Sequence, residues 1–183
     1  MSNLKGSRCY LAGAIENDLH PLHGWRNELK DRLRDLGIMW MDPCDKPIAI
    51  GRETEKTQAE MRKARENGHI DYVKKQMTLI QAIDLRMVDV SDFMVFNYSE
   101  AVITTGTHQE LARASEQHKP IIARIEGGRK KAPFWWYAEL QPDLFCSDWD
   151  EVEEYLRSAD AIHPDLLHTW SNNRWLLFDW MGQ

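Results

Sequence analysis

The chain has 183 residues, with 23 basic and 29 acidic side chains and a formal charge of −6 at neutral pH. That length suits one domain with a real core, and an acidic chain without a long basic block argues against nucleic acid as its main ligand. Three widely spaced cysteines, Cys9, Cys44 and Cys146, show no CxxC pairing, so neither a disulfide framework nor a zinc site is indicated and a reducing compartment is expected. No apolar run approaches the roughly 20 residues of a membrane span. The polar start MSNLKGSR has no signal-peptide core, and a cytoplasmic location is expected.

Residues 8–15, RCYLAGAI, read as a first central strand that gives way after Gly13 to a loop carrying Glu16, Asn17, Asp18, His20 and His23. Trp25, Leu29, Leu33 and Leu36 recur at helical spacing, and Gly37 supplies a stop. Residues 38–41 form a second apolar strand, ended by Asp42-Pro43 because proline cannot continue a ladder. The aperiodic segment 44–56 reads as a long loop, of the kind that often serves as a lid or binding segment. A charged helix over 57–66 breaks at Asn67-Gly68, and a second helix runs over 70–90.

A third strand at 93–98 is followed by a loop rich in hydroxyls and glycine, a helix over 107–118 and a fourth strand at 120–125. The aromatic run FWWYAEL (134–140), a fifth strand at 143–146 and a helix over 148–158 complete the alternating part. Such alternation predicts an α/β protein, a doubly wound five-stranded parallel sheet with helices on both faces. The tail 163–183, with Trp170, Trp175 and Trp180, is expected to add an aromatic-rich helix that packs on its own domain or on another subunit.

Two carboxylates stand out. Asp84 interrupts the stripe Met77, Ile80, Val88 that should face the sheet, where an unpaired charge costs several kcal/mol. It needs a partner or a function. Thr107 to Glu110, THQE, fit a capping box, in which Glu110 would only satisfy a helix amide. Yet Thr104, Thr105 and Gly106 precede that box, and exposed amides at a helix start attract anions. Ligands of open α/β sheets bind beyond the carboxyl ends of the strands, so both carboxylates flank a place for a small molecule. No HExxH, Walker-type loop or GxGxxG is present, so neither a metal nor a cofactor is implied.

The string YLAGAI, the D(x7)D spacing of Asp84 to Asp92 and the segment TTGTHQELARASEQHKPII together resemble the nucleoside 2-deoxyribosyltransferase family, which includes nucleoside and nucleotide N-glycoside hydrolases. The resemblance spans about residues 10–122. It implies a flavodoxin-like sheet, a homo-oligomer and a nucleoside or nucleotide as the small-molecule partner. It further implies that Glu110 is the nucleophile at the anomeric carbon, that Asp84 handles protons on the leaving base and that Tyr10 orients the nucleophile. Gly13, Ala14 and Ile15 would contribute to the substrate pocket, with Asp92, Thr104, Thr105, Gly106 and Thr107. The chain also departs from the pattern. Thr104 replaces the aspartate that deoxyribosyltransferases carry six positions before the nucleophile, where nucleotide-hydrolysing relatives have a phosphate-contacting serine. Glu16 stands where those relatives use an arginine.

The chemistry is coherent without the resemblance. Breaking an N-glycosidic bond passes through an oxocarbenium-like state that a carboxylate can stabilise or trap. The departing base needs a proton, which a desolvated carboxylic acid supplies. Phosphoribohydrolases that release cytokinin-type bases also use a GT-containing loop and a glutamate, but the doubled glycine before that loop is absent here. The alternative from another class is a non-catalytic nucleotide-binding or assembly module, with Glu110 as a cap and Asp84 paired to Arg86 or Arg113. His20, His23 and His108 are weaker candidates for the pocket.

Overall fold

The computed structural model describes residues 3–15, 24–46, 48, 50–102, 104–140 and 144–161. The expectations placed on Glu16, Asn17, Asp18, His20, His23, residue 143 and the tryptophan-rich tail lie outside these residues. Five strands, β1 (Arg8–Gly13), β2 (Met39–Met41), β3 (Phe93–Tyr98), β4 (Ile121–Ile125) and β5 (Phe145–Cys146), form a wholly parallel sheet in the order β2-β1-β3-β4-β5. That is the flavodoxin-like order, with its switch point between β1 and β3. The helices are α1 (Gly24–Arg32), α2 (Glu55–Glu66), α3 (Ile70–Val90), α4 (Thr105–Glu116), α5 (Trp136–Glu139) and α6 (Trp149–Ala161).

Side chains along a strand alternate between the two faces of a sheet, and the sequence supplies apolar residues for both. Cys9, Leu11, Phe93, Val95 and Ile122 pack on Leu29 of α1 and on Val152 and Leu156 of α6. Tyr10, Ala12, Met94, Phe96 and Ala123 face Met87 and Val88 of α3 and Leu111 and Ala114 of α4. Each fully buried Leu, Val or Phe among them stabilises the fold by roughly 1.5–3 kcal/mol. Covering both faces is what allows the strands to read as continuous apolar runs. The even positions of β1 therefore put Tyr10 on the α3 and α4 side, and that placement reaches the candidate site.

Most expected elements are present with shifted ends, and α3 and β3 have the expected bounds. The consequential shift is in α4, which starts at Thr105 rather than Thr107. Thr107 is thus inside the helix, and the expected capping box with Glu110 does not form. A capping box does occur at α2, where Thr54 and Thr57 satisfy each other's backbone amides.

Gly13 ends β1 under tight constraint: a β-carbon there would lie 2.9 Å from Trp25 Cζ2 and 3.3 Å from the Asn97 carbonyl. Overpacking of this kind costs about 1–3 kcal/mol. Gly13→Ala should lower the urea midpoint by a corresponding amount without changing the denaturant slope, and an unchanged midpoint would show that Trp25 yields freely.

Candidate active site

Beyond the carboxyl ends of β1 and β3 lies a cavity of about 160 Å³, lined by Gly13, Ala14, Ile15, Glu53, Met77, Ile80, Gln81, Asp84, Leu85, Thr104, Thr105, Gly106, Thr107, Gln109 and Glu110. The loop after β1, the middle of α3 and the first turns of α4 build it, together with a residue of the segment before α2. Glu110 and Asp84, which lie far apart in sequence, thus open into one space. Ala14, Ile15, Thr104, Thr105, Gly106 and Thr107 line the same space.

Glu110 is held from below the cavity. The Tyr10 hydroxyl donates to Glu110 Oε1 at 2.8 Å, and the tyrosine itself is fully buried. Burial pushes the Glu110 carboxyl up to about 8, and the charges of Asp84 and Glu53 push in the same direction. The Tyr10 hydrogen bond favours the ionised form but does not outweigh them. Burial and the neighbouring Glu110 charge likewise raise the Tyr10 phenol well above its ordinary value, so it remains a donor at neutral pH.

Asp84 is buried on the inner face of α3 with Ile80, Met87 and Val88. Its partner is neither Arg86 nor Arg113, the latter being paired with Asp89 at 2.7 Å. Instead the Lys46 ammonium lies 2.8 Å from Asp84 Oδ1 and 3.5 Å from Glu53 Oε2. Lys46 is wholly enclosed and donates to the Gly51 carbonyl at 2.7 Å. Gly51 has φ +70°, a left-handed conformation that suits glycine, and a β-carbon there would meet Ile83 at 2.7 Å. Lys46, Gly51 and Glu53 are therefore gathered around one buried ammonium, and this gathering brings Glu53 to the cavity.

Arg26 forms another fully buried cationic centre. It donates to the Gly13 carbonyl at 3.1 Å, and its Nε lies 3.5 Å from Asp42, whose other oxygen is 2.5 Å from Lys30. Lys46, Glu53 and Arg26 were not anticipated from the sequence. The only signal was the aperiodic stretch 44–56, which marked a binding segment without saying which of its charged residues turn inward.

At the start of α4, Thr104 is the N-cap residue but makes no side-chain cap. Its hydroxyl is buried without a hydrogen-bond partner while the residue lines the cavity. Thr105, Gly106 and Thr107 follow as the first residues of α4, whose amides precede the helix's own hydrogen-bond ladder. Together they form a concave patch of donors suited to an anion.

Asp92 is not part of this constellation. It precedes β3 at the amino end of the sheet, the rim away from the cavity, where it accepts the Arg8 amide at 2.7 Å and pairs with the Arg8 guanidinium at 2.9 Å. The expected substrate contact for Asp92 is thus replaced by a tie between two strand starts. Among the described residues, no group of three or more His, Cys, Asp or Glu side chains is placed to hold a metal ion. No described helix is long and apolar enough to cross a membrane.

These features define a flavodoxin-like α/β protein with a carboxylate-lined cavity at its switch point. No family model and no curated protein matches the sequence. Among solved structures the chain is similar to a 2-deoxyribosyltransferase from the psychrotolerant bacterium Bacillus psychrosaccharolyticus, at 20% identity over 81% of this chain and 92% of that one, with a TM-score of 0.56. It is also similar to a conserved protein from Enterococcus faecalis V583, at 14% identity over 84% of this chain and 99% of that one, with a TM-score of 0.51. At such identities the likeness establishes the shared fold.

The Asp92 assignment is open to direct test. Asp92→Ala should cost about 1–3 kcal/mol of stability in urea, as expected when a charged hydrogen-bonding partner is removed, while ligand binding at the cavity stays as in the parent. Glu110 yields a pH prediction. Its folded carboxyl keeps a proton up to about 8, against an ordinary value of 4.5. Between those limits the folded chain binds the extra proton, so stability falls as pH rises. Glu110→Gln should remove part of that decline, on the order of 1–3 kcal/mol by pH 8, as measured by urea unfolding across the range.

Proposed function

We propose that this chain cleaves the N-glycosidic bond of a nucleoside or nucleoside 5′-monophosphate, by hydrolysis or by transfer to a second base. The observation that carries the reading is the convergence of Glu110, aligned by Tyr10, and Asp84 on one cavity. Glu110 is the nucleophile: in its ionised form, which the Tyr10 hydrogen bond favours, its carboxylate attacks the anomeric carbon as the bond to the base breaks. Asp84 donates the proton that lets the base leave neutral. Water or an acceptor base then releases the sugar from Glu110. The 2-deoxyribosyl transfer named for the Bacillus psychrosaccharolyticus structure is consistent with this chemistry.

The Thr104 hydroxyl and the first amides of α4 support a 5′-phosphorylated substrate, since they offer donors to an anion where the cavity has no other use for them. A binding or assembly module is less well supported. That reading called for Asp84 locked to a guanidinium with no adjoining cavity, whereas its partner is an ammonium and a cavity is present. Exposed Ile70, Met77 and Leu79 along α3 are compatible with self-association of the chain beside the site.

The test is a panel of nucleosides and nucleoside 5′-monophosphates, with and without acceptor base, analysed by chromatography. Glu110→Ala should lower base release by roughly 10³-fold or more, in line with loss of a covalent nucleophile. Release at the parental rate would refute the assignment. Thr104→Val should raise KM for the phosphorylated substrate by roughly tenfold and leave the unphosphorylated one unchanged.

A further inference from the structure

Asp84 shares its surroundings with a second cavity-lining carboxyl. Glu53 is buried just before α2; its Oε1 accepts from Gln58 Nε2 at 3.2 Å, and its Oε2 is 3.5 Å from Lys46 Nζ. Asp84 Oδ1 lies 2.8 Å from the same ammonium. Neither Glu53 Oε2 nor Asp84 Oδ1 receives an aligned hydrogen bond, although both are buried. The two carboxyls thus meet at one ammonium, one from α3 and one from the segment before α2. Carboxyls crowded around one cation are accommodated when one of them carries a proton.

Charge leads to the same conclusion. Lys46 is one positive group facing two carboxyls, and Glu110 with Tyr10 adds no cation from the α4 and β1 side. Arg26, on α1, acts on the pair only through space while engaged with Asp42 and Gly13. Gln58 of α2 contributes a neutral donor. A second full charge in this enclosure would be uncompensated, which buried carboxyls avoid by retaining a proton.

We propose that Glu53 and Asp84 act as one proton-holding pair clamped by Lys46, with Asp84 delivering the proton to the departing base and Glu53 as the positioning residue that shares and restores it. The proposal deepens the glycosidic reading and rests on it. As the carbon–nitrogen bond breaks, its electron pair goes to the base nitrogen, which takes the proton from Asp84, while a Glu110 oxygen bonds to the anomeric carbon. When water then displaces Glu110, its oxygen bonds to the sugar and its released proton returns to the Glu53–Asp84 pair. The cycle closes without any external acid. Burial and the Asp84 charge push Glu53 up to about 7, and burial also raises Asp84 despite Lys46, so the pair keeps a proton well above the ordinary carboxylate range.

The decisive comparison uses two leaving groups on the same sugar: a natural base, which must be protonated, and p-nitrophenolate, which leaves without a proton. Glu53→Gln should slow base release by on the order of 10²-fold, the usual scale of general acid catalysis, and flatten the alkaline decline in its pH profile. Nitrophenolate release should stay within about threefold of the parent, because the variant removes only proton supply. Glu53→Asp, which restores a carboxyl, should recover part of the lost rate. Equal slowing of both leaving groups, or of neither, would overturn the pair. A parent inactive on every sugar substrate would overturn the glycosidic reading instead. Infrared titration decides the pair without turnover: besides the Glu110 band, which Glu110→Gln removes, a second protonated-carboxyl band titrating near neutrality should vanish in both Glu53→Gln and Asp84→Asn and persist in Glu110→Gln. A parent lacking that band would also overturn the proposal.

Discussion

The site depends on the burial of more carboxyl groups than one ammonium can neutralise. Lys46 is enclosed completely, with Asp84, Glu53 and the Gly51 carbonyl around it. An isolated buried charge is very costly, and a buried pair is tolerated only with good geometry and additional hydrogen bonds. The chain meets those conditions by wrapping the segment after β2 around the ammonium. Replacing Lys46 would leave both buried carboxyls without a counter-ion, and its pairing with Asp84 ties that residue to the middle of α3. Glu53 is thereby fixed in the cavity wall.

A similar economy applies at Glu110. Its side chain sits within α4, yet its position is set by a hydroxyl from the central strand on the other side of the packing interface. Tyr10 is immobilised by the layer of Met94, Phe96, Met87 and Leu111, so the hydrogen bond is pre-organised by the core itself. Such a carboxylate needs little reorganisation when charge develops in front of it. The fold thus supplies the alignment, and the low-polarity surroundings supply the raised affinity for protons.

The two ends of the sheet perform different work. At the amino end Asp92 joins Arg8 across neighbouring strand starts, and Lys119 closes the carboxyl end of α3 by donating to Val88 and Asp89. At the carboxyl end the strands stop and their successors diverge around the β1–β3 switch point, leaving room for a ligand. Arg26 belongs to the carboxyl rim, reaching from α1 to the Gly13 carbonyl with Asp42 behind it.

Much of this framework is legible in the linear order of residues. Alternating apolar runs and helical periodicities determine a doubly wound parallel sheet, because each element must bury its own apolar side and the pattern states which side that is. The intrusion of Asp84 into an apolar stripe marks it as special for the same local reason. What periodicity does not carry is the identity of partners distant along the chain. The start of α4 falls at Thr105, which frees Glu110 from the capping role its spacing allowed, and Asp92 turns to Arg8 rather than to a ligand. Lys46 and Glu53 sit in an aperiodic stretch where charged residues ordinarily face solvent. Only the packed structure decides that they turn inward, since their burial is repaid by contacts with α3 and not by any neighbour in sequence.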